Sequence, residues 1–144
     1  MKHPAIELRA EGLLIHDRLL LLAQHTRDDE KYWVLPGGHV ESGEDLSETL
    51  CREFQEELSL DVVPGPLLWV HQFIRSDRHT VNFTFRVECA DIDALRLNPG
   101  RRLIGCQWFS PDQLSTLDFR PDLSELCAEV LRGRLPRNLG VYRF

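Results

Sequence analysis

The fold is decided by the stretch from Gly38 to Leu60, which reads GHVESGEDLSETLCREFQEELSL. The segment Pro36–Gly38 at its start is predicted to be a loop, because Pro36 lacks a backbone donor and the two glycines leave the backbone flexible. Asp45 or Ser47 is placed to cap the helix that comes next. Apolar residues recur every four positions in that helix, which predicts a stripe that packs on a core. They are Leu46, Leu50, Phe54 and Leu58.

Carboxylates crowd the last turns of the predicted helix. Glu53, Glu56 and Glu57 are spaced so that they project to one side, beside the apolar stripe. The arrangement is unfavourable alone, because like charges repel and the helix C-terminus already carries partial negative charge. Arg52 offsets one charge, and a hard divalent cation would turn the remaining carboxylates into ligands. Acidic helix faces are more often merely solvated, but a glycine-rich loop beside this one can add backbone carbonyl and N–H groups.

The same stretch resembles the signature of the Nudix hydrolase superfamily, the MutT-like pyrophosphohydrolases. The matching positions are Gly38, Glu44, Arg52, Glu53, Phe54, Glu56, Glu57 and Leu60. One position departs from the signature, because Ser59 stands where the family usually has the glycine that closes the helix. Family-like sequence extends from Tyr32 upstream to Ser110 downstream.

The resemblance implies an α/β fold, the Nudix α/β/α sandwich around a mixed β-sheet, with one domain over residues 1–144. It also implies a site for Mg²⁺ or Mn²⁺, whose ligands would be the Gly38 carbonyl, Glu53, Glu56 and Glu57. Arg52 would orient Glu53 through a charge-assisted hydrogen bond. Glu44 would steady the loop and Arg52 from outside the ligand set, and Glu41 would have a structural role in the loop.

The order of elements agrees with a layered fold of strands and helices. Strand composition is found in residues 6–16, 19–24, 32–35, 67–74, 80–87 and 103–109. We expect a bulge at Glu11-Gly12 and a break at the Pro64–Pro66 segment. The last helix is predicted over residues 121–132, and the tail from Arg134 to Phe144 shows no period.

Composition bounds the possible partners. The chain has 144 residues, 42% of them hydrophobic, which is enough for one sizeable core. Its formal charge of −6 argues against binding a nucleic-acid polymer or an anionic membrane. The cysteines are isolated and no N-terminal apolar segment is present, which favours a cytoplasmic protein with reduced thiols. We expect a monomer or a homodimer.

Substrate contacts are expected outside the signature. Alternation in residues 80–87 puts Thr80, Asn82, Thr84 and Arg86 on one face, where polar groups suit a wet cleft. Arginines in the flanking turns can bind phosphate. The candidate substrate-binding residues are Arg75, Arg78, Asn82, Phe83 and Arg102.

These features predict divalent-metal-dependent hydrolysis of the pyrophosphate linkage of a nucleoside di- or triphosphate, or of a nucleoside diphosphate derivative, releasing a nucleoside monophosphate. The predicted catalytic residues are Arg52, Glu53 and Glu56, with one glutamate assisting the water. The general base stays open, because outside the signature there are further candidates: Glu88, Asp91, Asp93, His79 and His71. The alternatives are an ADP-ribose or nucleotide-sugar pyrophosphatase and a non-catalytic nucleotide-binding module.

Overall fold

The strand from Ile6 to His16, β1, has neighbours on both sides and is central to the sheet. The computed structural model describes residues 3–134 and 141–144. The other strands are β2 (Leu19–Arg27), β3 (Glu30–Val34), β4 (Gly37–His39), β5 (Val62–Ile74), β6 (His79–Cys89), β7 (Leu103–Phe109) and β8 (Val141–Arg143). The helices are α1 (Leu46–Leu58), α2 (Pro111–Leu114) and α3 (Ser124–Leu131), with a 3₁₀ turn at Ile92–Ala94.

The sheet is mixed, as predicted. Its strands follow the order β3-β2-β1-β6-β5-β8, with β4 paired to β1 and β7 paired to β2. The pairs β1–β6 and β5–β8 are parallel, and the others are antiparallel. Neighbouring residues of β1 point to opposite faces of the sheet, so each face of this strand contributes to a different layer.

Helices cover both faces of the sheet, which confirms the α/β/α sandwich. On one face, Leu50, Phe54 and Leu58 of α1 are fully buried in a cluster with Ala10 and Leu14 of β1. On the other face, residues of β1, β5, α2, α3 and the N-cap of α3 form a second cluster, which includes Leu13, Trp69, Leu114, Leu123, Cys127 and Val130. Full burial of one such side chain contributes roughly 1.5–3 kcal/mol, so the apolar stripe of α1 fixes the helix on the sheet.

The Pro64–Pro66 segment does not break the chain into separate elements. Strand β5 begins at Val62 and continues through it, although the pairing with β6 shifts register between Pro64 and Trp69. Among the described residues, β8 pairs with β5 only at Val70–Gln72. Within the described part of the chain, the start of β5 therefore pairs on one side only, with β6. The prolines are tolerated there because no described strand on the other side needs the backbone N–H groups that they lack.

Two further predictions about glycine are wrong. Strand β1 has no bulge at Glu11-Gly12, because its pairing with β6 is continuous from Ile6 to Leu14. A Cβ at Gly12 would lie 3.0 Å from the ring of Phe54, so this glycine allows close packing of α1 on the sheet. The Pro36–Gly38 segment is not wholly a loop either, since Gly37 begins β4 and pairs with β1.

The C-terminal region also differs from the prediction. Helix α3 begins at Ser124 rather than at residue 121, and the Asp122 carboxylate accepts a hydrogen bond of 3.1 Å from the Ser124 amide. In the tail, Val141–Arg143 forms β8 beside β5, where no strand was predicted. The part of that tail at residues 135–140 lies outside the described residues.

The first two hairpins turn through residues with positive φ. The β1–β2 turn has φ of 49° at Asp17 and 63° at Arg18, and the β2–β3 turn has 52° at Asp28 and 63° at Asp29. Positive φ at both central residues is the property of type I′ turns, whose twist matches that of the flanking strands. Aspartate tolerates this conformation, but arginine has no compensating local hydrogen bond.

We therefore predict that Arg18→Gly stabilises the protein by about 0.5–1 kcal/mol, because glycine removes the steric cost of positive φ. Urea unfolding of the two proteins measures the difference. Lys31→Gly, in the middle of β3, is the control and should destabilise the protein. If Arg18→Gly were as destabilising as Lys31→Gly, the positive φ at Arg18 would carry no strain.

Candidate active site

The base of the candidate site is the glycine pair of β4. Gly37 and Gly38 pair with Glu11 and Ala10 of β1. A Cβ at Gly37 would collide with the Ala10 backbone, and a Cβ at Gly38 would overlap the carboxylate of Glu53. Glycine is required at both positions, since only a bare backbone lets β4 lie between β1 and the carboxylate face of α1.

Helix α1 is capped at both ends, which fixes its position relative to the loop. Asp45 is the N-cap: its carboxylate accepts from the Glu48 amide at 2.8 Å, and Glu48 accepts from the Asp45 amide at 2.9 Å. At the other end Ser59 adopts φ 58° and ψ 28°, the left-handed conformation for which the family uses glycine. The signature departure at Ser59 therefore leaves the helix end intact.

Arg52 joins the loop to the helix. Its guanidinium donates two hydrogen bonds to Glu44, at 2.7 and 2.9 Å, and one to Glu53 at 2.8 Å. It also donates to the backbone carbonyl of His39 at 3.0 Å, and weakly to Glu56 at 3.4 Å. These bonds raise the pKa of Arg52 and hold the pKa of Glu44 at about 2, with the bonds from Arg52 as the main cause.

Glu44 and Glu41 have different roles in the loop. Glu44 also accepts hydrogen bonds from the Glu41 amide at 2.9 Å and from the Thr49 hydroxyl at 3.1 Å, so it joins the loop to the first turn of α1. The Glu41 carboxylate is 67% exposed and lies 3.8 Å from Arg52. A pair this exposed contributes little to stability.

The three signature carboxylates are neighbours that differ in exposure, since one Arg52 nitrogen bonds both Glu53 and Glu56. Glu53 and Glu57 line the main cleft together with Gly38, whereas Glu56 is 61% exposed and lies outside it. Burial, followed by the neighbouring Glu53, raises the pKa of Glu57 to about 8. The two cleft carboxylates therefore repel each other, and a proton or a cation relieves the repulsion.

This donor set fits a partly hydrated Mg²⁺ or Mn²⁺. Among the described residues there is no group of three or more acidic, histidine or cysteine side chains already arranged around one point. Two carboxylates and the Gly38 carbonyl are nevertheless hard oxygen donors, and Mg²⁺ usually keeps several waters and uses only one or two protein carboxylates. The raised pKa of Glu57 gives the carboxylate pair a physical reason to bind such a cation.

The cleft that these carboxylates line has a volume of about 1010 Å³. Arg75, Arg78, Asn82 and Arg102, four of the five predicted substrate residues, line it. Phe83 does not, because successive strand residues point to opposite faces and Phe83 lies on the face away from Asn82. Phe83, although predicted to bind substrate, therefore does not join the other four residues in the cleft.

Several cleft residues were missed from the sequence. Arg9 and His25 line the cleft, and burial, together with nearby Arg9 and Arg102, lowers the pKa of His25 to about 4. Glu11 lines the cleft as well, and its buried carboxylate is hydrogen-bonded to His71 at 2.5 Å and accepts from Thr84 at 2.7 Å. The partners of Glu11 lie on strands that are distant in sequence. The only signal in the sequence was the presence of charged residues, among them Arg9 and Glu11, in the largely apolar strand β1.

The fold and site define a class: an α/β domain with carboxylates of one helix against a glycine strand, at the end of an arginine-lined cleft. The protein-family model of the NUDIX domain matches residues 8–130 of the chain. YvcI of Bacillus subtilis, an uncharacterised Nudix hydrolase, is 28% identical to this chain. The alignment covers 82% of this chain and 74% of YvcI. The phosphatase NudJ of Escherichia coli is 29% identical to this chain, and the alignment covers 78% of this chain and 72% of NudJ.

The solved structure of the ORF135 protein of Escherichia coli superposes with a TM-score of 0.74 at 22% identity, covering 94% of this chain and 96% of that one. The chain belongs to the Nudix family, and its enzyme class is that of the Nudix pyrophosphohydrolases. Proteins of this family generally use a divalent cation and act on small nucleotides. No helix within the described residues is long and apolar enough to cross a membrane.

We predict that Gly38→Ala weakens cation binding by about 10–100-fold, because the added methyl group displaces the Glu53 carboxylate. Titration of the nucleotide-free protein with Mn²⁺, followed by electron paramagnetic resonance, measures the affinity. Gly100→Ala is the matched control, since nothing lies within 4 Å of its added Cβ. Equal Mn²⁺ affinities for the two variants would show that Glu53 is not a ligand.

The pKa of Glu57 predicts a pH-dependent stability. The pKa of Glu57 in the folded protein, about 8, lies above the usual carboxyl value of 4.5, so the stability that this group contributes is full below pH 4.5 and is lost as the pH rises through 8. Without metal, Glu57→Gln should exceed the wild type in stability at pH 9 by about 1–2 kcal/mol, with little difference at pH 4.

Urea unfolding with chelator, and again with excess Mg²⁺, tests this expectation. Mg²⁺ should stabilise the wild type more than the variant, because glutamine lacks the ligand charge. A variant less stable than the wild type at pH 9 without metal would contradict the proposed repulsion.

Proposed function

We propose that the protein hydrolyses the pyrophosphate linkage of a nucleoside di- or triphosphate, or of a nucleoside diphosphate derivative, in a Mg²⁺-dependent reaction that releases a nucleoside monophosphate. The observation that carries the proposal is the cleft. Hard oxygen donors line it together with arginines, of which Arg9 and Arg102 form no ion pair within the part of the chain that the structure describes. That combination suits a polyphosphate, whose charge needs both a cation and fixed positive groups.

The cation would be held by Glu53, Glu57 and the Gly38 carbonyl, and when bound it would neutralise charge on the phosphate oxygens. Arg52 donates to the Oε1 atom of Glu53 at 2.8 Å, which fixes this carboxylate beside Gly38, where Glu53 would orient a water and accept its proton. Of the two glutamates considered as the base, Glu53 is favoured over Glu56, because Glu56 is mostly exposed and lies outside the cleft.

The candidate bases outside the signature are less suitable. Among them only His71 lines the cleft, and it is 1% exposed with its Nε2 atom already bonded to Glu11. The Nε2 atom of His79 is bonded to the side chain of Gln72 at 3.2 Å. The position of Glu53 beside Gly38 therefore makes it the favoured general base.

Arginines beside the carboxylates support a phosphate chain as the ligand. Arg27, Arg78 and Arg120 each pair with a carboxylate, whereas Arg9 and Arg102 form no ion pair among the described residues. Arg9 lies close enough to Glu57 to lower the pKa of that carboxyl, so the same guanidinium is placed to contact a phosphate bound beside Glu57. His25 between them is uncharged at neutral pH and adds no positive charge.

The cleft has room for a group beyond the phosphates. Its volume of about 1010 Å³ lies at the upper end of the range for small-molecule sites. Phe73 in its wall stacks with Arg75, whose guanidinium lies 4.9 Å from the ring centre, and such a surface suits a nucleobase. The volume favours an NDP-linked group, such as ADP-ribose or a nucleotide sugar, as the second candidate substrate.

The function is tested by turnover on a panel of nucleoside triphosphates, nucleotide sugars and ADP-ribose, with the products separated by ion exchange. We expect a nucleoside monophosphate as product, complete loss of turnover with EDTA, and a kcat lowered by about 10²–10⁴-fold in Glu53→Gln. Glu125→Gln, on the exposed side of α3, is the matched control. Undiminished turnover in EDTA, or a loss below tenfold in Glu53→Gln, would overturn the proposal.

Arg9 should act on substrate binding. Arg9→Ala removes a charge-assisted contact to phosphate and should raise KM by about 10–100-fold, with a smaller effect on kcat. Arg9→Lys should restore part of the loss. Arg132→Ala, which lies outside the cleft beside Asp112, should leave KM unchanged. An unchanged KM in Arg9→Ala would mean that the phosphates lie elsewhere.

A further inference from the structure

The last turn of α1 carries Glu57 and needs outside support. The final carbonyls of a helix have no partner within it, and their partial negative charge disfavours nearby carboxylates. In α1 the last turn contains no basic residue that would offset this charge. The amide of Ser59 donates to the carbonyl of Gln55, and that of Leu60 to Phe54, so the carbonyls of residues 56–58 remain.

The loop after β6 supplies all three missing donors. The side-chain amide of Asn98 donates to the Glu56 carbonyl at 2.9 Å, and its backbone amide donates to the Glu57 carbonyl at 2.9 Å. The backbone amide of Arg96 donates to the Leu58 carbonyl at 3.0 Å. A single exposed residue, Asn98, thus holds the peptide groups on either side of the Glu57 side chain.

Ser59 takes part in the same contact. The Asn98 amide nitrogen lies 3.0 Å from the Ser59 hydroxyl, which accepts its second hydrogen. Glycine at this position would reach the left-handed conformation more easily but would offer no acceptor. The departure of Ser59 from the family signature is therefore matched by an asparagine in a loop that is distant in sequence.

The loop is itself anchored beside α1 and the cleft. Ile92, Leu95 and Leu97 pack on the same apolar cluster as Leu50 and Phe54. Asn98 lines the cleft, and the chain continues from it to Arg102, which lines the cleft as well. The support of the helix end is thus continuous with the surface expected to contact substrate.

We propose that Asn98, paired with Ser59, is a positioning residue that holds the last turn of α1 so that Glu57 and Glu53 stay at the spacing needed for the cation. The inference rests on the proposed function, because it assigns those carboxylates to metal binding. Asn98 contacts no reacting atom in this role. It acts through the backbone on either side of Glu57.

The test compares Asn98→Ala with Thr116→Val. Thr116 also donates a side-chain hydrogen bond to a helical carbonyl, that of Gln113 at 2.7 Å, but in α2 and away from the cleft. In nucleotide-free protein, Asn98→Ala should weaken Mn²⁺ binding about tenfold, whereas Thr116→Val should change it less than twofold. Hydrogen exchange of the amides in residues 55–60 should accelerate in Asn98→Ala only.

Kinetics then separate positioning from substrate contact. At saturating Mn²⁺, Asn98→Ala should lower kcat and leave the KM for the nucleotide within about twofold. Ser59→Ala, which removes only the hydroxyl acceptor, should weaken Mn²⁺ binding by about threefold. This variant tests the inference if Asn98→Ala fails to fold. Ser59→Gly should lie between the wild type and Ser59→Ala, because glycine relieves the strain of positive φ.

Two outcomes would overturn the inference. One is a lower Tm in Asn98→Ala with unchanged Mn²⁺ affinity, which would make Asn98 merely structural. The other is an equal loss of affinity in Thr116→Val, which would indicate general loosening. If the wild type bound Mn²⁺ but hydrolysed no nucleotide of the panel, the proposed function would fail while the role of Asn98 in cation binding could still be measured.

Discussion

The shared hydrogen bonding of Arg52 to Glu44 and Glu53 is the interaction on which the site depends. It joins the loop after β4 to the second half of α1, and a bond to the His39 carbonyl fixes the guanidinium from a third side. Exposed ion pairs contribute at most about 1 kcal/mol. Here the side chains of Arg52 and Glu53 are only 22% and 13% exposed, so removing the arginine would leave a shielded carboxylate without compensation. The glycines of β4 and the apolar face of α1 bring these groups together, and the cleft begins where they meet.

Local features of this site could be predicted from the sequence because their causes are local. The spacing of Leu46, Leu50, Phe54 and Leu58 describes one helix face, and that face packs on the sheet as predicted. Asp45 caps the helix through contacts within three residues of itself. Ser59 shows where local reasoning ends: the sequence reveals its departure from glycine, but not its hydrogen bond from Asn98, which lies far away along the chain.

The rest of the site depends on strand register and on contacts between distant segments. Asn82 and Phe83 are adjacent, yet only Asn82 lines the cleft, and which face of β6 is inward follows from its pairing with β1. The contact of Glu11 with His71 and Thr84 joins three strands, so neither partner could be assigned from composition. Strand β8 was missed for the same reason, because its pairing with β5 is set by tertiary structure rather than by its own residues.

In the proposed cation site, Glu53, Glu57 and the Gly38 carbonyl are the direct protein ligands, and the more exposed Glu56 is not. Anomalous diffraction from crystals soaked in Mn²⁺ tests this directly. We expect an anomalous peak in the cleft within coordination distance of those three groups, with Glu56 at most joined through water. A peak centred on Glu41 and Glu44, or one with Glu56 as a direct ligand and Glu57 unbound, would contradict it.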